Sequence, residues 1–326
     1  MQIGRSFLAH FAVLSIVASS PAGAEDYPSR TTTIVVPFTP GGTTDILGRL
    51  VAQQLEARWG KSFVVENKPG AGTLVGASFV AKAPPDGYTL FMATSTAMAI
   101  NVTLFKSLPY DPVTDLTPVA LVAQLPFVLV VHPSLPVQSV TDLIAYAKQH
   151  PRQLSYATAG PGTPHHLFAE VFKSMTGIEM AHVPYRGTQP GLNDVVAGHM
   201  PLMFTDVAPA IGMLQGGKVR PLGVSTKARL VTFPDIPPIN EAGVPGFDVA
   251  SWQMVAAPAK TPPAILDKLH EEIKSIVATP EIRDRIVTDG MLPMDNPSRA
   301  ALQAFVKSEI VRWGKIVQDA GIAGSQ

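Results

Sequence analysis

Two short loops hold the residues of this sequence that are best suited to bind an anion. Residues 37–45, PFTPGGTTD, follow an apolar run and lead into an amphipathic stretch, and residues 156–166, YATAGPGTPHH, repeat this plan. Glycines leave the backbone N–H groups of such a loop open to a ligand, and the first turn of the following helix carries N–H groups without internal partners. The pattern predicts two anion sites built from peptide amides. For each loop taken alone, an ordinary turn between strand and helix is the alternative.

The second loop also carries the residue types that begin a helix. Thr163 is a suitable N-cap, and Pro164 stands at the first helical position, where its missing N–H costs nothing. We expect the backbone N–H groups of His165 and His166 to point out of the helix end. Ligands of doubly wound sheets bind at the carboxyl ends of the strands, where both loops lie. The two loops together therefore favour a binding function.

Other motifs indicate chemistry less strongly. Residues 70–76, GAGTLVG, come close to a dinucleotide-binding fingerprint, but the third glycine is one residue late. The histidines lack the H-x₃-H spacing of a zinc site, and the sequence has no G-x-S-x-G elbow and no Walker motif. We predict no cofactor, no metal ion and no catalytic residue. His182 is expected to be a strand residue with a hydrogen-bond partner, and His199 a cation at a helix end.

Two carboxylates have more than one possible role. Asp45 either lines the site or is an acid that stabilises the first turn of its helix. Asp206 stands beside Thr205 after an apolar run, and its alternatives are a general base and an acceptor that orients water or a donor of the ligand. We favour the second, because no nucleophile can be assigned to work with it. Trp252 and Trp313 are expected in the core.

Apolar runs of strand length alternate with amphipathic stretches of helix length. Strands are predicted over residues 33–37, 63–65, 88–92, 127–131, 154–157, 181–183, 202–204, 219–224 and 251–256. Helices are predicted over residues 45–59, 74–83, 139–149, 163–175, 192–197, 262–278, 281–288 and 298–317. Ser139 with Asp142 predicts a capping box at the start of one helix. The alternation predicts an α/β fold with mainly parallel sheets and helices on both faces.

The predicted elements form two α/β units. Residues 233–247 are rich in proline and glycine, which indicates a long connection, and the helical tail after Ser251 is expected to return to the first unit. The chain then crosses between the units near Leu125 and near Phe247. We predict domain 1 from residues 25–125 plus 248–326, domain 2 from residues 126–247, and a cleft with a hinge between them.

Composition excludes several classes of protein. Lys plus Arg and Asp plus Glu each number 25 in 326 residues, so a net charge of zero offers no electrostatic surface to nucleic acid. The absence of cysteine excludes disulfides, thiolate metal ligands and cysteine nucleophiles.

The N-terminal residues have the pattern of an export signal. Arg5 precedes an apolar run over residues 7–18 and an A-G-A sequence that ends at Ala24. This pattern predicts a secretory signal peptide over residues 1–24, cleaved after Ala24. An uncleaved membrane anchor is the alternative, although the apolar run is shorter than a membrane span needs. Export of a chain without cysteine favours the bacterial periplasm.

Several motifs occur in the order in which one protein family has them. They are residues 36–42 (VPFTPGG) with Asp45 and Arg49, 66–72 (ENKPGAG), 85–90 (PDGYTL), 159–163 (AGPGT) with His166 and Leu167, 182–187 (HVPYRG), 216–220 (GGKVR), and Trp252 before Ala257 and Pro258. Over essentially the whole mature chain the sequence resembles the Bug family, the periplasmic solute-binding proteins of tripartite tricarboxylate transporters.

The resemblance implies a two-domain periplasmic-binding-protein fold that closes like a flytrap on a small organic mono- or dicarboxylate, aliphatic or aromatic, without catalysis. It implies that the second loop holds one carboxylate and that ordered water bridges this group to the first loop. It implies a monomer that works with the membrane subunits of a tripartite transporter. An accessory protein that hands its ligand to a sensor kinase is the alternative, because its fold and cleft would be the same.

The resemblance also implies a set of ligand-binding residues. On domain 1 these are Phe38, Thr39, Gly41, Gly42, Asp45 and Ser95. On domain 2 they are Ala159, Gly162, Thr163, His166, Thr205 and Asp206, with Tyr185 as a wall of the pocket. Pro161 and His165 stand at positions that vary in the family, so we expect them to tune the choice of ligand. Thr73 replaces a glycine of many relatives, in a loop that we expect to be structural.

Overall fold

The structure, a computed structural model, describes residues 27–326 as two β-sheets with helices packed on them. The leader predicted over residues 1–24 lies outside the described residues. The strands are β1 (Thr32–Val36), β2 (Phe63–Asn67), β3 (Thr89–Thr94), β4 (Leu116–Leu125), β5 (Phe127–Val131), β6 (Ser155–Thr158), β7 (Ala181–Pro184), β8 (Leu202–Asp206), β9 (Arg220–Val224), β10 (Ser251–Pro258) and β11 (Leu292–Pro293). The helices are α1 (Thr43–Trp59), α2 (Leu74–Ala81), α3 (Asn101–Leu104), α4 (Val140–Gln149), α5 (Pro164–Thr176), α6 (Thr188–Val196), α7 (Val207–Gln215), α8 (Pro263–Ala278), α9 (Pro280–Thr288) and α10 (Arg299–Asp319).

The two sheets come from different parts of the chain. The first has the strand order β11-β4-β10-β3-β1-β2, with β1 parallel to β2 and β3, and β10 antiparallel to β3 and β4. The second has the order β7-β6-β8-β5-β9, with β6 parallel to β7 and β8, and β5 antiparallel to β8 and β9. The predicted α/β fold is confirmed, but the expectation of mainly parallel sheets is wrong. Both sheets are mixed, because β10 and β5 run antiparallel to the strands on either side of them.

Local sequence explains where the helices begin and end. In α1 the residues Leu47, Val51 and Leu55 are buried on one face, and Gly60 ends the helix in the left-handed conformation at φ 64°. At α4 the Oγ of Ser139 accepts a hydrogen bond from the Asp142 N–H at 3.0 Å, which confirms the Ser139 half of the predicted capping box. The Asp142 carboxylate accepts instead from the Gln138 N–H at 3.0 Å.

Some elements were not predicted. Strand β4, the short strand β11, helix α3 and helix α7 have no counterpart among the predicted elements, and α6 begins at Thr188 instead of residue 192. A single π-helical turn, Thr96–Ile100, follows β3, and all five of its residues are buried.

The chain passes between the sheets at two places. Only Pro126 separates the end of β4 from the start of β5, and residues 225–250 connect β9 to β10. The assignment of residues to two domains with a hinge at these crossings stays a prediction. Trp252 and Trp313 are buried, as predicted, and both indole N–H groups donate to Glu309, at 2.6 and 2.9 Å. Among residues 27–326, no helix has both the length and the apolar character that a membrane crossing requires.

Candidate ligand-binding site

A cavity lies where the N-terminal ends of α1 and α5 approach each other between the two sheets. It is narrow, with a volume of about 20 Å³ open to the centre of a water molecule. Its walls are Phe38, Gly42, Thr43, Thr44, Thr94, Thr96, Leu125, Phe127, Pro164, His165, Thr188, Asp206, Ser251 and Gln253. Because these residues come from both sheets, a molecule in the cavity contacts both halves of the protein.

Asp206 is the carboxylate of this cavity, and it is 4 % exposed. Its Oδ2 accepts hydrogen bonds from the N–H of Thr43, at 3.2 Å, and from the Thr43 hydroxyl. Its Oδ1 accepts from Thr188 Oγ1 at 3.0 Å and lies 2.9 Å from Nε2 of His165. Burial alone would raise the pKa of Asp206, but the hydrogen bonds from His165, Thr43 and Thr188 hold it below its usual value. Asp206 is therefore a buried, ionised link between the second sheet and α1.

The start of α1 binds a carboxylate, and in this structure the carboxylate is that of Asp206. The neighbouring N–H of Gly41 donates to Asp45 Oδ2 at 3.0 Å. The N–H of Thr44 has no hydrogen-bond partner in the described part of the chain, and Thr44 lines the cavity. One amide of the first loop thus stays open to a ligand.

The start of α5 differs in part from the expectation. Thr163 is the N-cap and Pro164 the first helical residue, as predicted, but the Thr163 hydroxyl donates to the Gly160 carbonyl at 2.7 Å instead of capping the helix. The N–H of His166 donates to the Thr163 carbonyl at 3.0 Å, so the expectation that it points outward is wrong. The N–H of His165 has no partner within residues 27–326, and it is the open amide of this loop.

The His166 side chain turns away from the cavity. Its ring stacks on His182 with 4.0 Å between centroids, and its Nδ1 accepts a hydrogen bond from the Gly162 N–H at 3.2 Å. Burial, helped by the neighbouring His182, lowers the pKa of His166 to about 4. His182 has the expected strand partner, because its Nε2 lies 2.7 Å from the hydroxyl of Thr158.

Asp45 is bound by its own surroundings. Its carboxylate pairs with Arg49, with 3.0 Å between Oδ2 and Nε, and accepts from Asn67 Nδ2 at 2.9 Å. Burial would raise the pKa of Asp45, but Arg49, Gly41 and Asn67 together lower it. These contacts support the alternative in which Asp45 stabilises its helix and loop, and Asp45 is not among the residues that line the cavity.

The other predicted site residues are distributed around the cavity. Phe38 and Gly42 line it directly, and Ser95 lies behind it with its Oγ 2.8 Å from Ser251 Oγ. Ala159 and Tyr185 line a neighbouring gap between the loops at 70–73 and 159–161, which Phe38 also borders.

Three predicted residues contact other parts of the protein. A Cβ on Gly187 would lie 2.1 Å from Thr39 Oγ1, and one on Gly162 would lie 2.1 Å from Leu104 Cδ2. Thr39 and Gly162 thus form close contacts between loops, while the Thr205 hydroxyl donates to the Asp206 carbonyl at 3.2 Å. Their roles in ligand binding stay predictions.

Several polar residues of the cavity were missed by sequence reasoning. Thr43 and Thr44 directly follow the predicted glycines, Thr94 ends β3, and Thr96 comes two residues later. Ser251 and Gln253 are two residues apart on β10, so they project to the same side of the strand. Two polar residues with this spacing in an otherwise apolar run were the available signal. No pattern in the sequence marks Thr188 as a residue of the cavity.

The fold and the cavity define a two-domain α/β binding protein. Residues 47–322 match the family model described as "Tripartite tricarboxylate transporter family receptor", and the chain belongs to this family. It is 35 % identical to a UPF0065 protein of Pseudomonas sp., over 99 % of this chain and 96 % of that protein. It is 32 % identical to Protein BugT of Bordetella pertussis, over 93 % of each. The resemblance to the Bug family is confirmed.

Solved structures show the same fold. A protein of R. palustris with adipate has a TM-score of 0.89 and 42 % identity, covering 91 % of this chain and 99 % of that one. The MatC protein of Rhodopseudomonas palustris with bound malate has a TM-score of 0.84 and 33 % identity, covering 89 % of this chain and 100 % of that one. Because the family is one of periplasmic receptors, this chain is a solute-binding receptor and not an enzyme.

Proposed function

We propose that this receptor captures a small organic carboxylate in the cavity between α1 and α5 and delivers it to the membrane subunits of a tripartite transporter. The observation that carries the proposal is the pair of unpartnered amides, on Thr44 and His165, at the first turns of two helices that border one cavity. Helix N-termini favour negative charge through their free N–H groups and their dipole. Relatives solved with adipate and with malate support a carboxylate as the ligand.

The ligand would couple binding to closure. It would accept hydrogen bonds from His165 on one half and from Thr44 on the other, directly or through ordered water, so both halves would contribute to its affinity. Residues 25–125 with 248–326 would then move against residues 126–247, about a hinge at the crossings near Leu125 and Phe247. We further propose that the leader is removed after Ala24 and that the mature protein acts in the periplasm as a monomer.

A calorimetric titration of the mature chain tests the proposal. Adipate, malate, glutarate and benzoate are titrated separately, with adipamide as an uncharged control of the same shape as adipate. We expect at least one acid to bind with a Kd of roughly micromolar or below, near −8 kcal/mol, and adipamide not to bind. Binding of adipamide with no binding of any acid would contradict the proposal.

A pair of variants isolates the amide of Thr44. Thr44→Pro removes this N–H at a position in the first turn where proline does not break a helix. Thr44→Ala is the matched control, because it also loses the hydroxyl that accepts from Gln253 at 2.7 Å but keeps the N–H. We expect the acid to bind at least tenfold more weakly to the proline variant than to the alanine variant. Equal affinities would show that the amide is not part of the site.

A further inference from the structure

Three buried polar side-chain atoms at this cavity lack a hydrogen-bond partner among the described residues. They are Thr96 Oγ1, His165 Nδ1 and Gln253 Oε1, and each residue is at most 4 % exposed. Buried polar atoms in proteins are nearly always hydrogen-bonded, so an unpartnered group at a cavity wall indicates a ligand. Thr96 and Gln253 follow or lie on strands of the first sheet, whereas His165 belongs to α5, so the residues that carry the open atoms line the cavity from both halves.

The contacts of His165 determine which ring nitrogen carries a hydrogen. Nε2 lies 2.9 Å from Asp206 Oδ1 and 3.0 Å from the Thr188 hydroxyl, which itself donates to Asp206. An ionised carboxylate only accepts hydrogen bonds, so Nε2 carries a hydrogen, and in a neutral ring it is the only nitrogen that does. The lone pair of that neutral ring is then on Nδ1, the nitrogen without a partner.

A carboxylate cannot contact this nitrogen without a proton. A carboxylate oxygen and a neutral Nδ1 are both acceptors, and they repel each other unless a hydrogen lies between them. The residues that line the cavity include no lysine and no arginine, while Asp206 brings a negative charge. Only His165 among these lining residues can therefore supply a positive charge that compensates both the ligand and Asp206.

We propose that the ligand carboxylate binds at Nδ1 of His165 and that binding takes up one proton from solvent. The ring becomes an imidazolium that donates from Nε2 to Asp206 and from Nδ1 to the ligand, and no other bond forms or breaks. This inference rests on the proposed function and adds the group that recognises the carboxylate. Asp206 is then a positioning residue, because it acts on the ligand through the ring.

Within the described part of the chain, Asp206 is the charged residue in contact with the His165 ring. Phe127 of β5 meets the ring edge to face at 4.8 Å between centroids, and Thr188 of α6 is uncharged. On α5 itself, His166 faces His182, and its Nε2 lies 3.8 Å from Glu170. Asp206 and a molecule in the cavity are therefore the charged groups that can contact this ring.

Calorimetry in buffers of different ionisation enthalpy counts the protons directly. Adipate is titrated in phosphate and in Tris at about pH 8, where an ordinary histidine is neutral and a carboxylate is ionised. If adipate does not bind, the tightest acid from the panel above replaces it. We expect an uptake of one proton per ligand and a roughly tenfold rise of the apparent Kd for each pH unit above this value. Tight binding without proton uptake would overturn this inference but not the proposed function. If no acid of the panel binds, the proposed function and this inference are both wrong.

Two further measurements assign the proton to His165. In His165→Gln we expect no proton uptake and an affinity that no longer changes with pH, whereas His199→Gln should behave as the unsubstituted protein. His199 is the matched control, because its side chain is 73 % exposed and it does not line the cavity. Nitrogen-15 spectra of the unsubstituted protein, labelled at histidine, report which ring nitrogens carry a proton. They give this information even if His165→Gln does not fold. We expect two protonated ring nitrogens on His165 in the complex, and a neutral ring there would overturn the inference.

Discussion

The stacked pair His166 and His182 makes the stability of the protein sensitive to mild acid. Burial lowers the pKa of both rings to about 4, and the neighbouring ring adds to this effect for His166. An unfolded chain binds these protons near the ordinary pKa of about 6.5. Since the unfolded state takes up protons first, the free energy of unfolding falls as the pH drops from about 6.5 to about 4 and is then constant.

The size of the effect follows from these pKa values. At pH 5 the shift of one histidine from about 6.5 to about 4 removes roughly 2 kcal/mol of the free energy of unfolding. His182 is only partly buried, so solvent screens its share, and the two rings repel each other when charged, so their contributions do not add. We expect the pair to remove about 2–3 kcal/mol between pH 7.5 and pH 5.

Urea unfolding at the two pH values measures this loss. In His166→Gln we expect the loss between pH 7.5 and pH 5 to be smaller than in the unsubstituted protein by about 2 kcal/mol. His199→Gln is the control at an exposed position. If His166→Gln and the unsubstituted protein lose the same free energy over this range, the stacked pair is not the origin of the acid sensitivity.

Three other substitutions, one of them with a matched control, test the site and the residues that support it. Gly162→Ala and Gly177→Ala place the same strain on a backbone at φ 69°, about 1 kcal/mol, but only the first meets another element, at 2.1 Å from Leu104. We expect calorimetry to show ligand binding at least tenfold weaker for Gly162→Ala and unchanged for Gly177→Ala. Equal Kd values for the two variants would show that the close approach of Gly162 to Leu104 does not matter for closure. Asp206→Ala removes the acceptor shared by His165, Thr188 and Thr43, and the Kd measured by calorimetry should rise at least tenfold; an unchanged Kd would exclude Asp206 from the site. Glu309→Leu leaves the indole N–H groups of Trp252 and Trp313 without their acceptor. Urea unfolding should show a free energy of unfolding lower by about 2–4 kcal/mol, while the Kd for the ligand stays the same. A free energy of unfolding within about 0.5 kcal/mol of that of the unsubstituted protein would contradict this role of Glu309.

The fold was largely predictable because most elements keep one hydrophobic period from end to end. Strand β4 was missed because Pro118 interrupts it, and proline in a strand argues against a central position. The structure accommodates Pro118 beside an irregularity in the pairing with β10, where Val255 pairs with Ala120 and the next residue pairs with Pro118. Helix α7 was missed because of Pro209 and Gly212, although Pro209 lies in the first turn, where no N–H is needed.

The candidate site was predictable only where its chemistry is local. The loops before α1 and α5 can be recognised from their glycines and from the residues that begin a helix. Asp206 can be recognised because it ends an apolar run that predicts a strand. The contacts of Asp206 with Thr43 and of Gln253 with Thr44 join residues 163 and 209 positions apart, and no local pattern specifies such pairs. The direction of the His166 ring was missed for the same reason, since it depends on His182 of the neighbouring strand β7.

The single residue between β4 and β5 has a mechanical consequence. Leu125 and Phe127, on either side of Pro126, both line the cavity. If the predicted hinge lies at Pro126, a molecule in the cavity would be next to the pivot, where rotation of one sheet against the other would displace atoms least. The same rotation would displace the outer rims of the two sheets most, because they lie farthest from the pivot. A membrane partner that touches both rims could therefore distinguish the occupied from the empty receptor without contacting the cargo.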